Sequence, residues 1–152
     1  GESGGDFMDM TLSNWIDDTL SMIEMISEEN SKPPLLVGSS MGVWIALHVA
    51  LLRPVSGVVG VAAGVDFTTD VYTSLSVEER QELESNGVIY KPSEYDIDPY
   101  PYTKKLVEDA KQKWLLLDKK DASIPLNIPI HLLHGMEDCD VEWIKSVNIA
   151  TA

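Results

Sequence analysis

One cysteine, Cys139, stands in 152 residues, so no disulfide forms within the chain, and such thiol usage fits a reducing compartment. Basic residues are scarce too. Eleven Lys and Arg face 25 Asp and Glu, a formal net charge of −14 at pH 7, which repels phosphates and anionic headgroups and sets nucleic acid and acidic membranes aside as partners. Residues 1–30 carry eight Asp and Glu and no Lys or Arg, a skew that a solvated helix face produces. No uninterrupted apolar run reaches the roughly twenty residues of a membrane span. The N-terminus has neither the apolar core of a secretory signal nor the arginines of a transit peptide, and it opens on Gly1 rather than methionine, so the chain reads as a segment of something longer. Histidine is the last scarcity: there are three, His48, His131 and His134, and none follows.

With 44% hydrophobic and 24% charged residues, the chain has the composition of about one globular domain. In "TLSNWIDDTLSMIEMISEEN", Ile16, Leu20, Ile23 and Ile26 fall on one stripe and Asp17, Asp18, Glu24 and Glu28 mostly elsewhere, the pattern of an amphipathic helix. "PPLLV" reads as prolines ending one element and a short buried strand beginning the next. "VWIALHVALL", apolar almost all round and stopped at Arg53-Pro54, reads as a helix buried between a sheet and its outer layer. "GVVGVAAGV", Gly57–Val65, and "IPIHLLHG", Ile128–Gly135, read as two further strands. Strands alternating with helices predict an α/β fold whose active edge lies at the carboxyl ends of parallel strands.

Residues 67–127 are far too long for an ordinary connection between two such strands. An insertion is expected there, with a cap-like part over about 67–101. "SVEERQELESNG" reads as a helix capped by Ser76, with Glu79 three residues on and Gly87 as its stop. "TKKLVEDAKQKWLLL" reads as a second helix returning to the sheet. Tyr90, Tyr95, Tyr100 and Tyr102 lie between them, either packing an irregular segment down or lining an apolar pocket.

Between the first strand and its helix lies "GSSMG". A glycine two residues before and two after a serine singles out Ser40, flanked by Gly38 and Gly42, and leaves Ser39 as filler. The pattern is too common to decide by itself, and it recurs around Ser3 in "GESGG". Context separates the two: a nucleophile elbow needs a strand, a sharp turn and a helix, so that the serine hydroxyl stands above the sheet edge. Ser40 has all three. Around Ser3 the chain shows no such strand, and "GESGG" reads as a Gly-rich loop after a strand that lies upstream. Glycines are expected on both sides because side chains there would collide with the adjoining strand and helix. Serine hydrolysis also needs an acid to orient its base, and after the third strand "HGMEDCDVEW" offers Asp138, with Glu137 and Asp140 as competitors.

The runs "GSSMGVW", "VEERQELESNGVIYKPSEY" and "IPLNIPIHLLHGMEDCDVEW" resemble the α/β-hydrolase family of mitochondrial palmitoyl-protein thioesterases that also hydrolyse acyl glucuronides such as that of mycophenolic acid. The resemblance covers essentially the whole chain. It implies an α/β-hydrolase fold, a mostly parallel sheet with helices on both faces and a small helical cap, truncated at both ends. It further implies a serine esterase or thioesterase of mitochondrial location acting on acylated proteins or small esters, without cofactor or metal. Ser40 then matches the nucleophile, the backbone N–H of Met41 one oxyanion donor, and Asp138 the acid. Val43 and Glu142 stand where the family often has glycine and proline. The catalytic histidine is expected to lie outside this chain: His48 falls inside the elbow helix, and His131 and His134 on the third strand read as structural. The first strands of the sheet and the second oxyanion donor are expected to be absent with it. On that footing, the competing expectation is a non-catalytic α/β fragment or interaction module.

Overall fold

The computed structural model describes residues 4–27, 32–92, 97–117 and 122–152. Ser3, Glu28 and Tyr95 lie outside them. After a 3-10 turn at Phe7–Asp9, helix α1 spans Leu12–Ser27, strand β1 Leu35–Ser39, α2 Met41–Leu52 and β2 Gly57–Val61. The stretch between β2 and the last strand holds α3 (Phe67–Ser74), α4 (Val77–Asn86), β3 (Val88–Lys91), β4 (Tyr100–Thr103), α5 (Lys104–Asp109) and a π-helical turn at Ala110–Trp114. Strand β5 (Ile130–Leu133) and α6 (Ile144–Thr151) follow.

β1, β2 and β5 form a parallel sheet in that order, with Gly38 opposite Gly60 and Gly60 opposite Leu132. Because side chains alternate along a strand, Leu36, Val58, Gly60 and Leu132 share the face on which α2 lies. α2 supplies most of the core: Val43, Trp44, Leu47 and Val49 are fully buried, together with Leu12 and Ile16 of α1. Each such side chain contributes on the order of 1.5–3 kcal/mol by leaving water. The opposite face carries Leu35, Val37, Val61 and Leu133, which are 59%, 72%, 42% and 57% exposed. Of the two helical layers implied by the class, the described residues supply one. On α1, Ile16 and Ile23 are buried as expected, while Ile26 is exposed.

In the insertion, α4 is built as its sequence dictates. The Ser76 hydroxyl accepts from the Glu79 N–H at 3.1 Å, the Glu79 carboxylate accepts from the Ser76 N–H at 2.8 Å, and Gly87 ends the helix at φ +75°. The tyrosine-rich segment differs from expectation. It is an antiparallel ribbon of β3 and β4, with Val88 opposite Thr103 and Lys91 opposite Tyr100. Tyr102 packs inward 6.2 Å from Phe67, and burial raises its phenol pKa; Tyr90 and Tyr100 are exposed. The helix expected over "TKKLVEDAKQKWLLL" ends early, in the π turn. The Trp114 carbonyl accepts from the Trp44 indole N–H at 2.8 Å and lies 2.6 Å from His48 Nε2, so tertiary partners take the carbonyl that an α-helix would have used.

Candidate active site

Ser40 links β1 to α2 with φ 50° and ψ −120°. This backbone state costs a residue with a side chain on the order of 1–3 kcal/mol and persists only where the surroundings impose it. The surroundings are visible. A Cβ on Gly38 would lie 2.4 Å from the Gly42 carbonyl carbon and oxygen and 2.7 Å from the Val43 nitrogen, so strand and helix approach too closely there for any other residue. Gly42 differs from expectation: a Cβ there meets nothing within 4 Å, and the crowding falls on Gly38 alone. The Ser40 N–H donates to the Val61 carbonyl at 2.9 Å, which ties the turn to the end of β2. Val43 is fully buried, and its methyl groups lie 2.9 and 3.1 Å from where a Cβ on Gly60 would stand, so glycine in the neighbouring strand makes room for valine in the helix.

A residue that the sequence reading passed over completes this corner. Gly64, three residues beyond β2, donates its N–H to the Ser40 carbonyl at 3.1 Å. A Cβ at position 64 would stand 3.1 Å from Ser40 Oγ and 3.4 Å from the Met41 nitrogen. Its lack of a side chain keeps space open beside the hydroxyl and beside the Met41 N–H, which opens α2 and so has no acceptor within its own helix. The signal was present in the small-residue run Ala62-Ala63-Gly64 at the end of the strand. Among the described residues, the non-glycine positions with positive φ are Ser40, Ala62 and Asp66. All three belong to the two loops that meet at Gly64. Asp66 is buried, and its carboxylate accepts the N–H of Leu116 at 3.0 Å and of Leu117 at 2.7 Å, fastening the end of the insertion to this edge.

Asp138 lies in the loop leaving β5, at the same carboxyl edge of the sheet. Its Oδ1 accepts from the N–H of Val141 at 2.9 Å and of Asp140 at 3.0 Å. The Val141 N–H is the main influence holding its pKa below the ordinary aspartate value, partial burial works against that, and the Asp140 N–H and nearby His134 add to the lowering. Glu137 and Asp140 are exposed. His134 stands with Nε2 3.7 Å from Asp138 Oδ2, too far for a hydrogen bond. Its ring is occupied elsewhere: Nδ1 lies 2.7 Å from Ser146 Oγ and Nε2 2.8 Å from the Val141 carbonyl. The Val141 carbonyl can only accept, so Nε2 carries a proton and donates to it. His48 is buried under Trp114, and His131 points from β5 to the open face of the sheet. Ser40 and Asp138 are thus brought to one edge, on strands separated by β2, with no hydrogen bond between them among the described residues.

A strained serine at a strand–helix turn, under a parallel sheet edge that also carries a hydrogen-bonded aspartate, defines the α/β-hydrolase class. The chain has that fold: over 99% of its length it matches the solved structure of α/β hydrolase domain-containing protein 10 from mouse, at 33% identity and TM-score 0.79, covering 59% of that chain. It also matches a solved structure from Agrobacterium vitis S4 at 34% identity and TM-score 0.89, again over 99% of this chain and 59% of that one. In sequence it is homologous to the mitochondrial palmitoyl-protein thioesterase ABHD10. Identity is 36% to the Mus musculus protein and 37% to the Homo sapiens protein, over 99% of this chain and 49% and 48% of theirs. The chain thus spans about half the length of the curated relatives it matches. No family model matches it.

Proposed function

We propose that the protein containing this chain is a mitochondrial serine hydrolase that cleaves acyl thioesters or esters, protein S-palmitoyl groups and acyl glucuronides among them, through an acyl-enzyme on Ser40. The observation that carries this reading is the conformation of Ser40, exposed at φ 50° between Gly38 and α2, with space kept beside its hydroxyl by Gly64. Ser40 Oγ attacks the carbonyl carbon and gives its proton to a histidine base. The oxyanion forms at the Met41 N–H, and the thiol or alcohol leaves with that proton. Water then repeats the sequence on the acyl-enzyme and regenerates Ser40. Asp138, held ionised by Val141 and Asp140, orients the base and stabilises its charged form. The base is a fourth histidine: the ring nitrogens of His134 and Nε2 of His48 are already committed, and His131 points to the sheet face opposite α2, away from the Ser40 turn. Residues 67–101 serve as the cap over this edge.

The same placement of the three histidines favours a second reading for residues 1–152 taken alone, that of a non-catalytic unit. A fluorophosphonate probe tests the first reading. It is expected to label the full-length protein, to lose the label in Ser40→Ala and to keep it in Ser3→Ala and Ser39→Ala; labelling that survives Ser40→Ala sinks it.

A further inference from the structure

The loop after β2 and the loop after β5 are distant in sequence, yet one side chain reaches from the second to the first. Lys145 stands in the first turn of α6, and its ammonium donates to the Val65 carbonyl at 2.9 Å and to the Asp70 carboxylate on α3. Its side chain is only 20% exposed, so the charge is held by these partners more than by water. Val65 is fully buried beside Gly64, the residue bonded to the Ser40 carbonyl. In the other direction, the Lys145 N–H donates to the Glu142 carbonyl at 3.0 Å, and its neighbour Ser146 holds His134. His134 donates to the Val141 carbonyl, and the Val141 N–H donates to Asp138. A continuous set of polar contacts and adjacent residues therefore runs from Asp138 to Ser40, with Lys145 at the step that crosses between the loops.

We propose that Lys145 is a positioning residue that fixes the Asp138 loop against the Ser40 turn and, through Asp70, fastens both to the first helix of the insertion. This rests on the reading that Ser40 and Asp138 act in one reaction. A backbone carbonyl is an exacting anchor for such a task. It is fixed in place by buried Val65, and an ammonium donor reaches it at the end of a stem that α6 already orients. Displacement of a catalytic group by about 1 Å costs up to roughly a hundredfold in rate, so a tie between the two loops has a large kinetic consequence without touching substrate.

The test uses the full-length protein with Lys145→Met, Lys145→Arg and Asp70→Asn, assayed on a p-nitrophenyl ester with Ser40→Ala as blank, and in parallel by hydrogen exchange at the Gly64 and Val141 amides. Lys145→Met is expected to lower kcat by about ten- to a hundredfold, to leave KM within about twofold, and to speed exchange at both amides together. Lys145→Arg restores most of both, and Asp70→Asn gives the smaller change, since Val65 remains as anchor. Unchanged exchange at Gly64 and Val141 in Lys145→Met overturns the proposal, as does faster exchange with undiminished kcat. Should Lys145→Met not fold, Lys145→Gln is read in the same way. If turnover of the parent does not depend on Ser40, the reading of the function fails, while the exchange result still decides whether Lys145 couples the loops.

Discussion

The turn that carries Ser40 and the loop that carries Asp138 end parallel strands of one sheet, but they are held in shape by opposite means. At Ser40 the geometry depends on atoms that are not there: Gly38 lets strand and helix close to a distance that forbids a Cβ, Gly64 leaves the hydroxyl uncovered, and Gly60 admits Val43. At Asp138 it depends on groups that are there, the Val141 and Asp140 N–H donors, His134 and Ser146. The first is steric, indifferent to pH, and broken by adding a methyl group. The second is polar, sensitive to charge, and broken by removing a partner.

The largest effect expected from this contrast lies in the polar half. Asp138→Asn in the full-length protein preserves the shape of the loop but not its charge, and turnover should fall by about ten-thousandfold, as when the acid of a serine triad is neutralised. Glu137→Gln and Asp140→Asn, both exposed, should change it far less. A crippling Asp140→Asn would move the acid two residues on.

A smaller effect, on stability, separates the two glycines of the turn. Gly38→Ala forces a methyl group to within 2.4 Å of the Gly42 carbonyl and should cost on the order of 1–3 kcal/mol or more. Gly42→Ala, pointing into open space within a helix, should be neutral or stabilising by up to about 1 kcal/mol. Urea midpoints of the two variants check the pair, and equal losses would show that both flanks are crowded.

The smallest effect is on pH. Because the folded state lowers the pKa of Asp138, its ionisation adds stability that is fully present above the ordinary value of 3.8 and is lost as pH falls through the lower folded value. Acidification below that range should therefore speed amide exchange at Asp140 and Val141 before it affects Gly64, whose bond to Ser40 involves no titrating group. Simultaneous loosening at both would erase the distinction between the two regions.

Features written in adjacent residues were legible in the sequence. The elbow is one: a strand, Gly38, Ser40 and an apolar helix occupy less than twenty residues, and steric exclusion at a turn acts over that range. The α4 box is another, since Ser76, Glu79 and Gly87 satisfy the ends of their own helix. The parallel strands followed from apolar runs, although β2 stops at Val61 rather than Val65, because the positive φ of Ala62 turns the chain out of the sheet.

What required the tertiary structure was every decision taken between distant residues. The pairing of β3 with β4 joins segments on either side of a proline-broken stretch, and no local pattern states that register. The helix stops at Trp114, whose carbonyl meets Trp44 and His48 of the distant α2 in place of the next turn of its own helix. Gly64 lay within the run read as a strand, Gly57–Val65, and only the fold sets it against Ser40, just as only the placement of α6 aims Lys145 at Val65. The sequence by itself determined α1, α2, α4, the parallel strands and which serine stands at the turn, because backbone sterics and hydrophobic periodicity are short-ranged. Only the fold decided what lies around that serine, because hydrogen bonds and close packing depend on distances that the order of residues does not contain.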